Sequence, residues 1–390
     1  MINWFLSKTV RRGTEMRKHV NRIMRAQQDL LTEESVESIK AALIELDEIL
    51  GSTRDSKAIL SKMDQLETVA TKHLRAYRHP IIRENVEVLL VAIVVALAIR
   101  TFFLQPFKIP TGSMQPTLYG ITHQNSIGDN EVEFPTGIRK WYESWFKGVS
   151  YYSLTAEESG TLKMVEKPRK LFLFISKQRI QVGNKWYTIW FPPDKLYVRA
   201  ELSYGTRYEK GEDILKLRVV SGDHLFVDRF TYNWRKPTRG EIIVFETKGL
   251  NIPNQKTYYI KRLIGLGGEE LGIGNDRHVI VDGERLDAAT PRFENLYGFD
   301  EDDRYQKNHY FGHVNNKIAK NFRIGGSIAE NFRDGKDRYN IPNKHFLVMG
   351  DNTLNSFDSR QWGYFTQTNV IGKSAFIYWP ISKRFGWSHR

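Results

Sequence analysis

The chain has 390 residues, with 58 Lys and Arg against 45 Asp and Glu for a formal net charge of +13, and it has no cysteine. That length provides for two or three domains and an ample core, and the absence of cysteine excludes disulfides and thiolate-held metals. The positive charge and the 13% aromatic content fit an anionic membrane surface better than nucleic acid: a long apolar run is present, whereas an RNA-binding sheet signature, Cys/His finger spacing and a basic region with heptads are not.

Residues 1–6 are too short for a signal peptide, so the later apolar run reads as an uncleaved anchor. Residues 15–77 carry a helical pattern. Val20, Ile23 and Met24, then Ile39, Leu43, Leu46, Ile49 and Leu50, recur at threes and fours, with breaks near Leu31 and Gly51. The expectation is a helical hairpin within a cytoplasmic region, residues 1–85, that packs on itself; the heptads are too short and interrupted for a coiled coil. Residues 86–104 are the predicted transmembrane helix. They span about 28 Å at 1.5 Å per residue, close to a ~30 Å hydrocarbon core, with Glu87 and Arg100 near opposite ends, where an arginine snorkels. Lys72, Arg75, Arg78 and Arg83 on one flank outnumber Arg100 and Lys108 on the other, which keeps the N-terminus in the cytoplasm and puts the rest outside.

Residues 105–390 change character to alternating apolar and aromatic runs broken by glycine and proline, such as 240–246, 258–264 and 279–283, which predict a mainly β domain. Residues 121–218, rich in Trp and Tyr, and residues 286–343 read as insertions. The first has Trp141, Tyr142, Trp145 and Phe146 as candidates for membrane contact. The second holds an echo, Ile-Ala-Lys-Asn-Phe-Arg from 318 and Ile-Ala-Glu-Asn-Phe-Arg from 328, expected to be two arms of a β-excursion. The acidic run 300–303 lacks the ligand spacing of a calcium loop, and no His-Glu-x-x-His pair exists, so no metal site is expected.

The run Pro-Thr-Gly-Ser-Met-Gln-Pro-Thr-Leu, 110–118, places Ser113 in a loop just past the anchor. A serine hydroxyl is a poor nucleophile at neutral pH and needs a base; Lys261, in Tyr-Tyr-Ile-Lys-Arg from 258, is a candidate. At an ordinary pKa of ~10.4 a lysine is neutral only about 0.04% of the time at pH 7, so the role requires burial among neighbours such as Tyr259, Ile260, Leu263 and Ile264. Strand alternation sends Arg262 to the opposite face or the rim, where its loss is expected to be mild. Taken singly, each feature has an ordinary alternative: a Gly-Ser turn, a snorkelling strand lysine, core methionine and leucine. Their conjunction favours chemistry.

Four blocks in order after an anchor resemble the bacterial type I signal peptidases, a Ser/Lys peptidase family: 106–118, 221–230, 258–265 and 349–363. The resemblance implies a signal-peptidase-like β fold with inserted β-excursions, preceded by one transmembrane helix and the N-terminal helices. It makes Ser113 the nucleophile and Lys261 the general base. Ser356 would hold the lysine, the Thr111 hydroxyl and the Ser113 N–H would form the oxyanion hole, and Asp358 and Arg360 would be a supporting pair. Phe107, Ile109, Met114, Leu118, Tyr259 and Ile260 would line small substrate pockets selecting Ala-x-Ala. The implied partners are signal peptides of exported preproteins and the lipid bilayer, with no nucleic acid and no cofactor; the implied location is the bacterial cytoplasmic membrane. The chain departs from the pattern at Gly267-Gly-Glu269, where the family commonly has Pro-Gly-Asp, and at Thr111, commonly serine; it also has a single evident anchor. Two rival functions are a self-cleaving Ser/Lys protease, which the anchor disfavours, and a catalytically silent envelope binding module, which intact Ser113, Lys261 and Ser356 disfavour.

Overall fold

The structure is a computed structural model that describes residues 8–52, 55–75, 80–129, 131–172, 175–253, 255–298, 310–322 and 327–388. Residues 1–6 and the acidic run 300–303 lie outside them. The chain divides into two compact units, Met1–Ile93 and Val94–Arg390.

The N-terminal unit contains three helices where a hairpin is expected: Lys8–Ala26, Glu33–Ser52 and Ser56–His73. The break at Gly51 separates two helices, because Asp55 caps the next one by accepting from the Lys57 N–H at 3.0 Å. Val20 and Met24 of the first helix, Ile39, Leu43 and Leu46 of the second, and Ile59 and Leu66 of the third bury one shared core. Gln27 ties the end of the unit to its beginning, donating to the Arg75 carbonyl at 2.9 Å and accepting from the Arg75 N–H at 3.0 Å.

The apolar helix Pro80–Ala98 continues through a π-turn, Ile99–Phe103. Residues Ile82–Phe103 are long and apolar enough to cross a membrane by length and composition, and none is buried by the protein. The span ends one residue earlier than the sequence suggests, because Leu104 opens a strand and pairs with Asp228. Glu87 is paired with Arg83 one turn before it at 2.8 Å, so the acid at the span's edge is neutralised.

The rest is mainly β. In chain order the strands are β1 Leu104–Lys108, β2 Thr122–Asn125, β3 Val149–Thr155, β4 Gly160–Val165, β5 Arg169–Phe172, β6 Ile175–Val182, β7 Lys185–Trp190, β8 Arg207–Tyr208, β9 Asp213–Val220 and β10 His224–Asp228. They continue as β11 Ile242–Glu246, β12 Tyr258–Gly265, β13 Glu270–Ile273, β14 Val279–Val281, β15 Glu284–Arg285, β16 Tyr339–Asn340, β17 His345–Met349, β18 Phe365–Thr366, β19 Val370–Trp379 and β20 Gly386–Trp387. The principal sheet runs β1-β10-β19-β11-β12-β17-β18, with β20 on β19. Its neighbours pair antiparallel throughout. β11 explains its own uninterrupted apolar run: Ile242 and Val244 enter one core with Leu225, Val227 and Ile377, while Ile243 and Phe245 enter another with Leu263, Val348 and Phe365.

Two smaller assemblies occupy the aromatic stretch, β2-β9-β3 and β5-β6-β4-β8 with β7 on β6, around a core of their own that includes Leu162, Ile180, Val182 and Ile214. The helix Gly137–Phe146 lies in this stretch as well. The 318/328 echo is not a pair of β-arms. Asn315 accepts from the Ile318 N–H at 2.9 Å and caps a helical turn, Asn316–Ala319, while the second copy is irregular and sends Ala329 and Phe332 into the core. The second copy is tied to the residues just before the first, through Asn316 N–H to Phe332 O at 2.8 Å and Lys317 N–H to Arg333 O at 2.9 Å; Arg323 of the first copy lies outside the described residues.

Leu46 is fully buried at the centre of the N-terminal helices. Leu46→Ala therefore costs about 2–5 kcal/mol there, measured as a lower midpoint for the helical transition, with the β unit's transition unmoved. An unshifted helical midpoint contradicts this packing.

Candidate active site

The loop around Ser113 is fixed from both sides, by Asp223 and by Asn352. On one side Asp223, from the second block, accepts the Tyr119 N–H on Oδ2 at 2.7 Å, and its backbone takes the Ile109 N–H at 2.9 Å and gives its own N–H to Tyr119 O at 2.8 Å. Arg384 neutralises that carboxylate with bonds of 2.9 and 2.8 Å. On the other side, Asn352 gives its N–H to Ser113 O at 3.0 Å and its side-chain amide to Gly112 O at 2.9 Å. With both carbonyls tied down, the loop's two inner amides separate in role: Gln115 N–H turns back to Gly112 O, whereas Ser113 N–H has no acceptor among the described residues.

Lys261 arrives from the sheet. It sits on β12 opposite Ile243 of β11. On its other side β17 pairs only as far as Met349, opposite Arg262, so beside Lys261 the chain turns into Gly350, Asp351 and Asn352, the residues that hold the loop. This places Lys261 Nζ 2.6 Å from Ser113 Oγ, donating to it as an ammonium. Lys261 is 5% and Ser113 8% exposed. Burial pushes the lysine down to about 8, Asp358 and Asp351 pulling it back up and Arg360 adding to the depression. Among the described residues Ser113 Oγ is the sole hydrogen-bond partner of Nζ, and the Tyr259 ring centroid lies 5.8 Å away.

Asp358 and Arg360 form a fully buried, two-pronged ion pair, with bonds of 2.8 Å to each carboxylate oxygen. Burial pushes the Asp358 carboxyl up, but Arg360 wins and holds it below its ordinary range. Asp358 also accepts the Gly350 N–H at 2.9 Å, and Arg360 donates to Thr353 Oγ1 at 2.9 Å. The pair thus fixes the turn behind Ser113. Gly350 has to be glycine: a Cβ there falls 2.5 Å from Ser113 O and nearer still to Ser356 Oγ. Ser356 is buried in this corner, but its hydroxyl makes no hydrogen bond. The expectation that it holds the lysine is corrected: no bond joins Ser356 Oγ to Lys261, and the hydroxyl faces Gly350.

The remaining expected residues separate by depth. Thr111 is exposed at the rim of the loop, and its hydroxyl has no partner among the described residues. Ile109, Met114 and Leu118 are 3, 0 and 1% exposed and belong to the core with Leu225, Val227, Ile242, Val244 and Ile377. Phe107 and Ile260 are half-buried above that core, and Tyr259 packs on the opposite cluster.

Arg262 overturns an expectation. It is turned away from Lys261, but inward, and is 1% exposed. Its guanidinium grips Asp351 at 2.8 and 2.6 Å and reaches Gly240 O, Arg292 O and Thr117 Oγ1 at 2.8, 2.6 and 3.3 Å. Thr117 in turn donates to Asp351 at 2.5 Å. One buried cation therefore joins the lysine strand, the 110–118 loop and the last block. Residues 262, 351, 352 and 117 were within the recognised blocks, yet alternation alone does not tell a buried opposite face from an exposed one. His313 also went unnoticed. It is fully buried with neither ring nitrogen bonded, and burial, aided by Arg360, lowers it to about 3, so it stays neutral under the site. Among the described residues no group of three or more His, Asp and Glu is placed to hold a metal.

A family model described as signal peptidase, peptidase S26, matches residues 82–125 and 215–379, more than half of the chain. The chain is similar to a probable signal peptidase I-2 of Synechocystis sp., 29% identical over 166 residues that make up 41% of this chain and 57% of that one, so it spans little more than half of this relative. It is similar also to a signal peptidase I of Leptolyngbya laminosa, 30% identical over 45% of this chain and 70% of that one. A signal peptidase I of Bacillus caldolyticus is 27% identical over 54% of this chain and 97% of its own. The unmatched residues 126–214 contain β3–β8; residues 286–343 fall inside the match.

Removing the Arg262 side chain leaves Asp351 buried without its cation, so Arg262→Met costs about 3–5 kcal/mol and disorders the loop at Thr117. Chemical denaturation reads the first and loss of activity the second; a variant as stable as the parent contradicts the buried hub.

Proposed function

Since the chain belongs to the signal peptidase family, peptidase S26, we propose that it is a membrane-anchored serine endopeptidase that removes signal peptides from exported preproteins with Ser113 as nucleophile and Lys261 as general base. The observation that carries this reading is the buried 2.6 Å contact between Lys261 Nζ and Ser113 Oγ. Once neutral, the lysine exchanges roles in that bond: its lone pair accepts the Oγ proton as Oγ attacks the scissile carbonyl. The oxyanion so formed is met by the free Ser113 N–H and the Thr111 hydroxyl. Collapse breaks the peptide bond, with the Lys261 ammonium returning its proton to the departing amine. Water, deprotonated by the same lysine, then attacks the acyl ester and releases Ser113. Asp358 and Arg360 act by holding the Gly350 turn.

The substrate lies as an extended strand. β12 has no partner on the β17 side before Arg262, so residues 258–260 offer an edge for backbone pairing, with side chains read alternately. Phe107 and Ile260 then form the surface of the pockets, and the buried Ile109, Met114 and Leu118 their floor; Tyr259 contributes from beside the lysine. The helix Ile82–Phe103 is the membrane anchor, and the basic flank before it keeps the N-terminal unit in the cytoplasm and the peptidase outside. Residues 126–214 are an insertion into the peptidase domain.

The test is cleavage of a preprotein ending in Ala-x-Ala by the detergent-purified chain, with product termini read by mass spectrometry. A single cut after the final Ala is expected, lost in Ser113→Ala and in Lys261→Met while both stay folded; a folded parent that cuts none of several preproteins contradicts the proposal. The pH profile of kcat/KM should rise through about 8 and then level, following the neutral lysine. Stability has the matching sign. Lys261 is held at about 8, below its ordinary ~10.4, so its burial destabilises the fold fully below pH 8, and that penalty fades between pH 8 and 10.4. Lys261→Met therefore gains roughly 3 kcal/mol at neutral pH, read as a higher thermal midpoint that converges with the parent above pH 10. A midpoint difference independent of pH contradicts the depressed lysine.

A further inference from the structure

The helix Gly137–Phe146 is oriented the opposite way to a helix that serves a protein core. At about 100° per residue, Ile138, Trp141, Tyr142, Trp145 and Phe146 fill one continuous arc of about 140°. In a soluble domain such an arc faces inward. Here Ile138 is 86%, Trp141 55% and Trp145 66% exposed, and no residue of the helix is buried. Of the polar arc, Glu143 alone packs on the protein. Glu143, the sole acid of the helix, has a side chain only 12% exposed, accepts from the Tyr151 hydroxyl and pairs with Arg139. Arg139, Lys140 and Lys147 are left as the helix's outward charges, all positive.

The helix is also held in place. Trp379 donates its indole N–H to Trp145 O at 2.6 Å, and Ile381 N–H donates to Phe146 O at 2.7 Å. Trp379 lies opposite His224, which lies opposite Lys108 of β1. The fastening point is therefore four residues along and two strands across from Leu104, where the chain leaves the apolar helix: ~13 Å one way and ~10 Å the other, ~16 Å in all.

We propose that this helix lies in the interface of the lipid bilayer, its aromatic arc among the upper acyl chains and its basic residues against anionic headgroups, so that the β unit has a second point of attachment besides the anchor. A short helix with Trp and Tyr on one face and Lys and Arg bordering it has the composition of an interfacial helix. Its place beside the anchor's exit favours lipid over a protein partner as the occupant. It lies within residues 126–214, outside the segments matched to the family. The proposal rests on the reading of residues 82–103 as an anchor.

Because the sequence contains no cysteine, single cysteines carrying a nitroxide report depth without background. In the full chain reconstituted into vesicles with anionic phospholipid, labels at Ile138→Cys and Trp145→Cys are expected to collide more with oxygen than with a water-soluble nickel complex, and labels at Lys140→Cys and Ser144→Cys to show the reverse. A label at Leu90→Cys reports the anchor separately. An aqueous pattern at 138 and 145 with a lipid pattern at 90 overturns the interfacial helix and leaves the anchor standing; so does an aqueous pattern with spin–spin broadening, which would mean a second copy covers the face. An aqueous pattern at 90 overturns both.

Discussion

A lysine amine kept out of water against a serine hydroxyl is the arrangement on which the architecture around Lys261 depends. Its amine is buried against Ser113 Oγ at 2.6 Å, and burial holds it down to about 8. An isolated buried ammonium is costly and would pull the strand open. The sheet resists because β12 is paired with β11 from Tyr258 to Arg262, on both sides of the lysine, and because the next residue, Arg262, is a neutralised buried cation rather than a second source of strain.

Two buried ion pairs divide the work of positioning. Arg262–Asp351 links strand to loop through Thr117, and Arg360–Asp358 links the last block to the Gly350 turn. Removing one partner from either leaves a charge in the interior, which is far more damaging than losing a surface pair. The same carboxylates raise the affinity of Lys261 for its proton while Arg360 lowers it. The pairs thus hold the site together and also set how far the lysine is depressed.

Much of this was legible in the sequence. The serine loop, the lysine strand and the Asp358–Arg360 pair carry their own residue types at telling positions, and the apolar helix and the β character of the rest follow from composition and alternation. Arg262 was misjudged because period-2 alternation distinguishes two faces without saying which is covered; only the pairing of β12 with β17 and the crossing of the 110–118 loop bury the second one. Ser356 is expected to bond Lys261, but its hydroxyl has no partner among the described residues. The three N-terminal helices look like two in the sequence, since the Asp55 cap is a single residue, and the first copy of the 318/328 echo is helical because Asn315, just before it, caps the turn. The depth of Ile109, Met114 and Leu118 depends on strands far away in sequence, and no local pattern shows it.

The account depends on Lys261 being an unusually weak base for a lysine before any substrate arrives. Its titration is most directly followed by the 13C resonance of selectively labelled lysine Cε in detergent-solubilised protein, assigned by comparison with Lys261→Met. A single lysine titrating near 8, as burial predicts, supports the dyad. A Lys261 that titrates with the others near ~10.4 contradicts it, because the amine would then stay charged beside Ser113 at neutral pH.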